Sequence, residues 1–299
     1  MVFDVSRFPD QERAILRRAC IEFPDHEFSR LFADRRAGHV LYGVLRDKKR
    51  ALGDIFVKAA LADSAKAALR REVKAYEALG KHDFLPKYYG VLEAGDCVAL
   101  LIESPQGAHW PPPWSAENVE RIQKTLEVVS CSVAPELDTP ISAFEGMLSG
   151  WQRLEREERL RLAEDRLQLA PGTLQRNIRH LIALSEQALQ PSGELLHFDV
   201  RSDNVCFRAN GAPLLLDWSW WCRGQVGNQL AAWGASLSRE TNQDVWTIGL
   251  DVRPEHVALV AGYFAQYFGI PYEGASHVRP LQARQAEIAV GWLQHLGVI

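Results

Sequence analysis

Residues 195–221 read Leu-Leu-His-Phe-Asp-Val-Arg-Ser-Asp-Asn-Val-Cys-Phe-Arg-Ala-Asn-Gly-Ala-Pro-Leu-Leu-Leu-Asp-Trp-Ser-Trp-Trp. An apolar pair leads into a polar loop that carries His197, Asp199, Arg201 and Asn204. Val205-Cys206-Phe207 and Leu214-Leu215-Leu216 then flank Arg208-Ala209-Asn210-Gly211. Asn-Gly between two apolar runs predicts a β-hairpin, because both residues accept positive φ at little cost. Asn204 stands just before the first strand and Asp217 just after the second. Folding the hairpin therefore brings together two residues that are 13 apart in sequence (217 − 204). An amide oxygen and a carboxylate are hard donors that suit magnesium better than zinc. Asp199 adds a carboxylate able to accept a proton from a substrate hydroxyl. Phosphoryl transfer needs this spacing. Taken singly, Asp199, Asp203, Asp217 and Asn204 read as ordinary turn residues. The set, with a hairpin between its parts, is what points to chemistry.

The rest of the chain narrows the class. Its 299 residues suit two lobes and a sizeable core. A net charge of −4 argues against a mainly nucleic-acid role, since phosphate backbones attract basic surfaces. The five cysteines are scattered, with no Cys-x-x-Cys pair, and read as free thiols of a cytoplasmic protein. The first residues lack a basic segment followed by a long apolar run, so no signal peptide is expected. No stretch reaches the ~20 apolar residues of a membrane span. There is no His-Glu-x-x-His and no Gly-x-Ser-x-Gly, which excludes those zinc and esterase motifs.

Periodicity predicts a helix over 8–23, strands within 28–60, a helix over 64–79, and strands near 88–93 and 97–102. After Ser104 the pattern turns helical: Ser115 is a good N-cap for a helix with Val119, Ile122, Leu126 and Val129 at helical spacing, and further helices are expected near 141–166, 172–189, 227–238, 254–268 and 280–296. The expected fold is α+β: a small antiparallel sheet with one packed helix in lobe 1–103, and a mainly helical lobe 104–299. Lys58 ends the apolar strand Ile55-Phe56-Val57 and can reach phosphate oxygens as a point charge. A buried lysine there needs an acidic partner, and the next helix offers Glu72 or Glu77, of which Glu72 is the expected one.

With these residues in view, the chain resembles the aminoglycoside phosphotransferase and choline kinase group, which has a protein-kinase-like bilobal fold. The resemblance rests on Lys58, Glu72, Leu100-Leu101-Ile102-Glu103, His197-x-Asp199-x-x-x-x-Asn204 and Asp217. The segment Gly107-Ala108-His109-Trp110-Pro111-Pro112-Pro113-Trp114 is similar to one bacterial branch of that group. The resemblance implies an ATP- and magnesium-dependent kinase acting on a small hydroxylated substrate. In it Asp199 would be the base or hydroxyl-orienting group, and Asn204 and Asp217 would hold magnesium. Lys58, braced by Glu72, would hold the α- and β-phosphates of ATP. His197 would support the loop, and Arg201 would neutralise charge on the transferred group, unless it only pairs with Asp203. Backbone groups near Glu103 and Ser104 would meet the adenine edge.

Some features depart from the group. The best phosphate loop, Arg35-Arg36-Ala37-Gly38-His39, has one glycine. Trp218-Ser219-Trp220-Trp221 follows Asp217, and Gly227-Asn228-Gln229-Leu230 offers amides where an acid usually braces the catalytic loop. These departures keep a non-catalytic nucleotide-binding protein as an alternative. A metal-dependent hydrolase using His197, Asp199 and Asp217 as ligands is a third. The acids of 150–168 alternate with arginines and read as a solvated helix face rather than a cation trap. The tryptophans at 110, 114, 151, 218, 220, 221 and 233 suit an aromatic wall for a sugar or a quaternary ammonium, and core packing explains most of them equally well; Trp218 and Trp220 are the two that adjoin a proposed metal ligand.

Overall fold

The apolar alternation of the first hundred residues does form strands. The computed structural model describes residues 8–34, 40–80, 82–272 and 278–299. In chain order its elements begin with helix α1 (Asp10–Glu22) and strands β1 (His26–Asp34), β2 (Val40–Asp47) and β3 (Ile55–Ala60). Helix α2 (Asp63–Leu79) and strands β4 (Tyr88–Ala94) and β5 (Cys97–Glu103) follow. Then come α3 (Ala116–Ser130), α4 (Glu145–Leu148), α5 (Gly150–Arg156), α6 (Leu160–Arg166) and α7 (Thr173–Ala188). Short strands β6 (Leu195–Leu196), β7 (Val205–Phe207), β8 (Pro213–Leu215) and β9 (Cys222–Arg223) precede α8 (Val226–Thr241), α9 (Pro254–Ala265) and α10 (Val278–His295). No helix among the described residues is long and apolar enough to cross a membrane.

The chain divides into two compact units, and not at one cut after residue 103. The first unit holds Met1–Pro111, Val133–Glu136 and Asp203–Trp220; the second holds Pro112–Ser132, Leu137–Ser202 and Trp221–Ile299.

In the first unit an antiparallel sheet runs in the order β1-β2-β3-β5-β4. Successive strand residues point to opposite faces. Ile55, Val57 and Ala59 share a core with Cys97, Ala99, Leu101 and with Ile15, Leu16 and Ala19 of α1. Phe56 and Lys58 point the other way, toward the face where Glu72 of α2 lies. So two helices cover the sheet, where the sequence suggested one. Each fully buried Leu or Ile contributes about 1.5–3 kcal/mol. α2 stops at Gly80, whose φ of 63° reverses the chain while its N–H still bonds Tyr76 O.

The hairpin β7–β8 belongs to this unit, paired Val205↔Leu215, Cys206↔Leu214 and Phe207↔Pro213. Its turn differs in detail from expectation. Gly211 takes a φ of 79°, while the Asn210 side chain accepts the N–H of Ala212 at 3.0 Å. Hydrogen bonds tie the hairpin to its surroundings: Phe207 and His109 exchange a pair at 2.8 Å, and Leu215 N–H bonds Phe84 O at 2.8 Å. Arg208 donates to Asp83 O, Leu85 O and the Glu103 carboxylate. That clamp ties residues late in the sequence to the first unit.

The second unit is helical around Trp151, Leu174, Ile178, Leu181, Val257, Ala261 and Leu293. α3 starts at Ser115, whose side chain accepts the N–H of Asn118. The helix expected over 141–166 is broken into a 3-10 turn (Ile141–Phe144) and α4, α5 and α6. The break has a packing cause. At Gly150 a Cβ would lie 1.9 Å from Gly262 O, so α5 and α9 meet backbone to backbone. Trp151 Nε1 seals the crossing by donating to Ala258 O at 2.8 Å. Of the acids between 150 and 168, Glu164 is buried and accepts the N–H groups of Gly172 and Leu174, which caps α7.

Gly150→Ala forces these backbones apart. We expect a loss of about 1–3 kcal/mol or more in urea unfolding, while Gly146→Ala, where a Cβ meets nothing within 4 Å, changes stability far less.

Candidate active site

Two carboxylates of the first unit gather around one ammonium group. Lys58 Nζ lies 2.8 Å from Glu72 Oε2 and 3.1 Å from Asp217 Oδ2. Strand β3 points Lys58 toward α2, and α2 returns Glu72 from its buried face. The hairpin delivers Asp217. Burial opposes the charge on Lys58, but Glu72 and Asp217 together raise its pKa well above the ordinary lysine value. Burial pushes the Glu72 carboxyl up to about 7 against the pull of Lys58, with Asp217 adding repulsion. The lysine therefore stays protonated.

Asp217 adopts a φ of 57°, a left-handed conformation that a non-glycine residue takes only at a cost of about 1–3 kcal/mol. Its surroundings hold it there. Ser219 Oγ donates to Asp217 Oδ1 at 2.8 Å, and Arg71 Nε bonds Ser219 O at 3.0 Å. Leu216 N–H bonds Asn204 O at 2.8 Å, extending the hairpin ladder by one step. The backbones of Asn204 and Leu216 are thus adjacent at the end of the ladder, with Asp217 next in the chain. An amide oxygen and a carboxylate are donor types that fit a hard divalent cation.

Other first-unit expectations meet mixed outcomes. The N–H of Glu103 is bonded to Lys87 O at 2.7 Å and that of Ser104 to Asp54 O at 2.9 Å. These two N–H groups are engaged by neighbouring carbonyls, and the Glu103 side chain pairs with Arg208. Trp218 is fully buried against Phe84, so it is core and no part of a ligand wall. The proposed phosphate loop, residues 35–39, lies outside the described residues. Sequence reasoning missed an aromatic series: Phe32 stacks on Tyr42 at 4.9 Å and Tyr42 on Phe56 at 6.1 Å. Tyr42 pairs across the strands with Lys58, so the rings share its face. Only the register reveals that neighbour.

The second unit carries the loop residues. His197 is fully buried, and its Nδ1 accepts the N–H of Asp199 at 3.3 Å. Phe198 between them has a φ of 64° and packs on the core below. The left-handed residue turns the Asp199 side chain away from the buried histidine. Arg201 Nε stands 3.6 Å from Asp199 Oδ1, a long ion pair rather than a hydrogen bond. The amide at 229 takes up the bracing role that the sequence left in doubt: Gln229 Oε1 accepts the N–H of His197 at 3.1 Å. Asn228 Nδ2 bonds Ala188 O at 2.8 Å. Tyr263 of α9, unmarked in the sequence, also senses this loop: burial, Tyr267 and Asp199 raise its pKa. The hydrolase alternative asks for His197, Asp199 and Asp217 as a ligand set, whereas His197 and Asp217 are engaged with their own neighbours as described. Among the described residues no group of three or more His, Cys, Asp or Glu side chains is arranged to hold a metal ion.

No family profile and no curated protein sequence matches the chain. Solved structures do. A thermostable mutant of aminoglycoside phosphotransferase APH(4)-Ia in its apo form is similar at TM-score 0.59 and 8% identity, covering 93% of this chain and 99% of that one. A ternary complex of that mutant line with ADP and hygromycin B is similar at TM-score 0.59 and 11% identity, covering 93% and 98%. Choline kinase LicA from Streptococcus pneumoniae is similar at TM-score 0.58 and 12% identity, covering 94% and 98%. The chain has a protein-kinase-like fold. In a protein-kinase-like fold of this kind the five-stranded sheet and the helical unit are the two expected parts, and both are present.

Lys58→Met tests the buried pair. Without Lys58 only the Trp218 backbone N–H still opposes the effect of burial on Glu72, so its folded pKa rises further above the ordinary value of 4.5. A carboxyl with a raised folded pKa loses stability as pH climbs from its unfolded toward its folded pKa. The variant should fall about 3 kcal/mol below wild type at pH 8, and the gap should shrink toward pH 5 in urea titrations.

Proposed function

We propose that the protein is an ATP-dependent phosphotransferase acting on a hydroxyl of a small molecule. The observation that carries this reading is the Lys58 ammonium held between Glu72 at 2.8 Å and Asp217 at 3.1 Å, with Asn204 joined to the same hairpin end. A fixed cation beside two oxygen donors is suited to a polyphosphate and its metal. The ADP complex of the aminoglycoside phosphotransferase of similar fold supports a nucleotide here.

In this reading Lys58 binds the α- and β-phosphates and Glu72 keeps its ammonium in place. Asn204 and Asp217 would hold magnesium, which when bound neutralises charge on the phosphate oxygens. The rings of Tyr42 and Phe56, on the same face as Lys58, offer a surface for the purine. Asp199 orients the acceptor hydroxyl. Its oxygen forms a bond to the γ-phosphorus as the bond to the β-phosphate oxygen breaks, ADP leaves, and Asp199 takes the proton late. Arg201, next to Asp199, supplies positive charge near the transferred group. His197 and Gln229 hold the loop rather than react. The acceptor is a small hydroxylated compound, and the cellular compartment expected is the cytoplasm. The hydrogen bond that Gln229 accepts from His197 N–H removes one motive for reading the chain as non-catalytic.

The test is ADP release across a panel of hydroxylated small molecules with ATP and magnesium. Asp199→Ala should reduce turnover by at least about a thousandfold, with ATP affinity changed less than about threefold; full activity sinks the assigned role. Asp217→Ala should abolish the magnesium-dependent part of ATP binding in calorimetry, and an unchanged affinity with and without magnesium counts against the metal assignment.

A further inference from the structure

Four donors converge on one buried carboxylate beside the loop that carries Asp199. Glu240 ends α8 with a side chain only 6% exposed. Its Oε1 accepts Ser202 Oγ at 2.7 Å and Arg239 Nη2 at 2.7 Å, with Ser236 Oγ at 3.5 Å. Its Oε2 accepts Trp114 Nε1 at 2.7 Å. A carboxylate in the last turn of a helix faces the negative end of the helix dipole, and burial adds a desolvation cost. Nothing about packing calls for an acid there. The donors offset that cost, and two of them come from segments distant in sequence. Ser202 lies three residues after Asp199. Trp114 closes Trp110-Pro111-Pro112-Pro113-Trp114, a segment with no part in the chemistry above, and its ring sits edge-on to Trp233 at 6.1 Å.

We propose that Glu240 is a positioning residue, a latch that holds the Asp199 loop through Ser202 and is itself held by Trp114. Its catalytic consequence rests on the phosphotransfer reading; the latch itself does not. Gln229 fixes the entry to the loop at His197, and Glu240 fixes it again past Asp199. The proline-rich segment thereby gains a role: it brings an indole N–H to the far oxygen of the same carboxylate. Charge-assisted hydrogen bonds of this kind are the strong class, and removing one leaves a buried charge short of a donor.

Three variants of the full-length protein each remove part of the latch: Ser202→Ala, Glu240→Gln and Trp114→Phe, the last keeping a ring against Trp233. Hydrogen–deuterium exchange of amides 198–202 should speed up about tenfold in each, and kcat for ADP release should fall about tenfold. KM for ATP should stay within about twofold. Ser202→Thr, which keeps the hydroxyl, should restore both readouts. The double variant of Ser202→Ala and Trp114→Phe should lose less than the product of the single losses, because both act through one carboxylate. Unchanged exchange in Ser202→Ala and Trp114→Phe overturns the latch, as does Ser202→Thr behaving like Ser202→Ala. Faster loop exchange in the variants, with a wild-type protein that neither binds ATP nor releases ADP, upholds the latch and overturns the phosphotransfer reading instead.

Discussion

An ammonium group buried between two carboxylates can exist only if three separate elements agree. Lys58 comes from a central strand, Glu72 from the helix across its face, and Asp217 from a hairpin about 160 residues further along the chain (217 − 58). Removing any one leaves a charge in a poorly solvated place, which is costly. The pair is therefore weak evidence for stability and strong evidence for a purpose, since apolar residues of similar size would fill the space at lower cost. The left-handed backbone at Asp217 points the same way: strain is tolerated where a side chain must be aimed.

Much of the first unit can be understood as support for that hairpin. Arg208 collects two carbonyls and the Glu103 carboxylate, Phe207 bridges to His109, and Arg71 holds Ser219. None of these groups touches Lys58. Each limits how far the end of the ladder can move, and a site that acts by positioning depends on such limits. In the second unit the same logic recurs around Asp199. A buried histidine, a left-handed phenylalanine, a glutamine and a glutamate surround five residues of loop.

Where the sequence and the structure part company, the reasons are specific. The 141–166 stretch reads as one helix, but the chain breaks it, with Glu158 in a left-handed conformation between α5 and α6 and Gly150 packed backbone to backbone on Gly262. Trp218 adjoins a proposed ligand in sequence, but alternation along a short turn sends it into the core against Phe84. Tyr42, Tyr263 and Glu240 carry no local mark at all.

The sequence by itself determined the strand–helix–strand order of the first hundred residues, the hairpin between Asn204 and Asp217, and the pairing of Lys58 with Glu72. Those features follow from periods of 2 and 3.6, turn residues and charge, which act over a few residues. Only the tertiary structure decided that the late hairpin belongs to the same unit as the early sheet, that α1 covers that sheet's second face, and that Gln229 and Glu240 bond to the loop. These depend on contacts between segments many turns apart, where register, helix rotation and the approach of two glycines set which side chains meet. No local pattern encodes that, because the free energy that selects it is shared by the whole packed core.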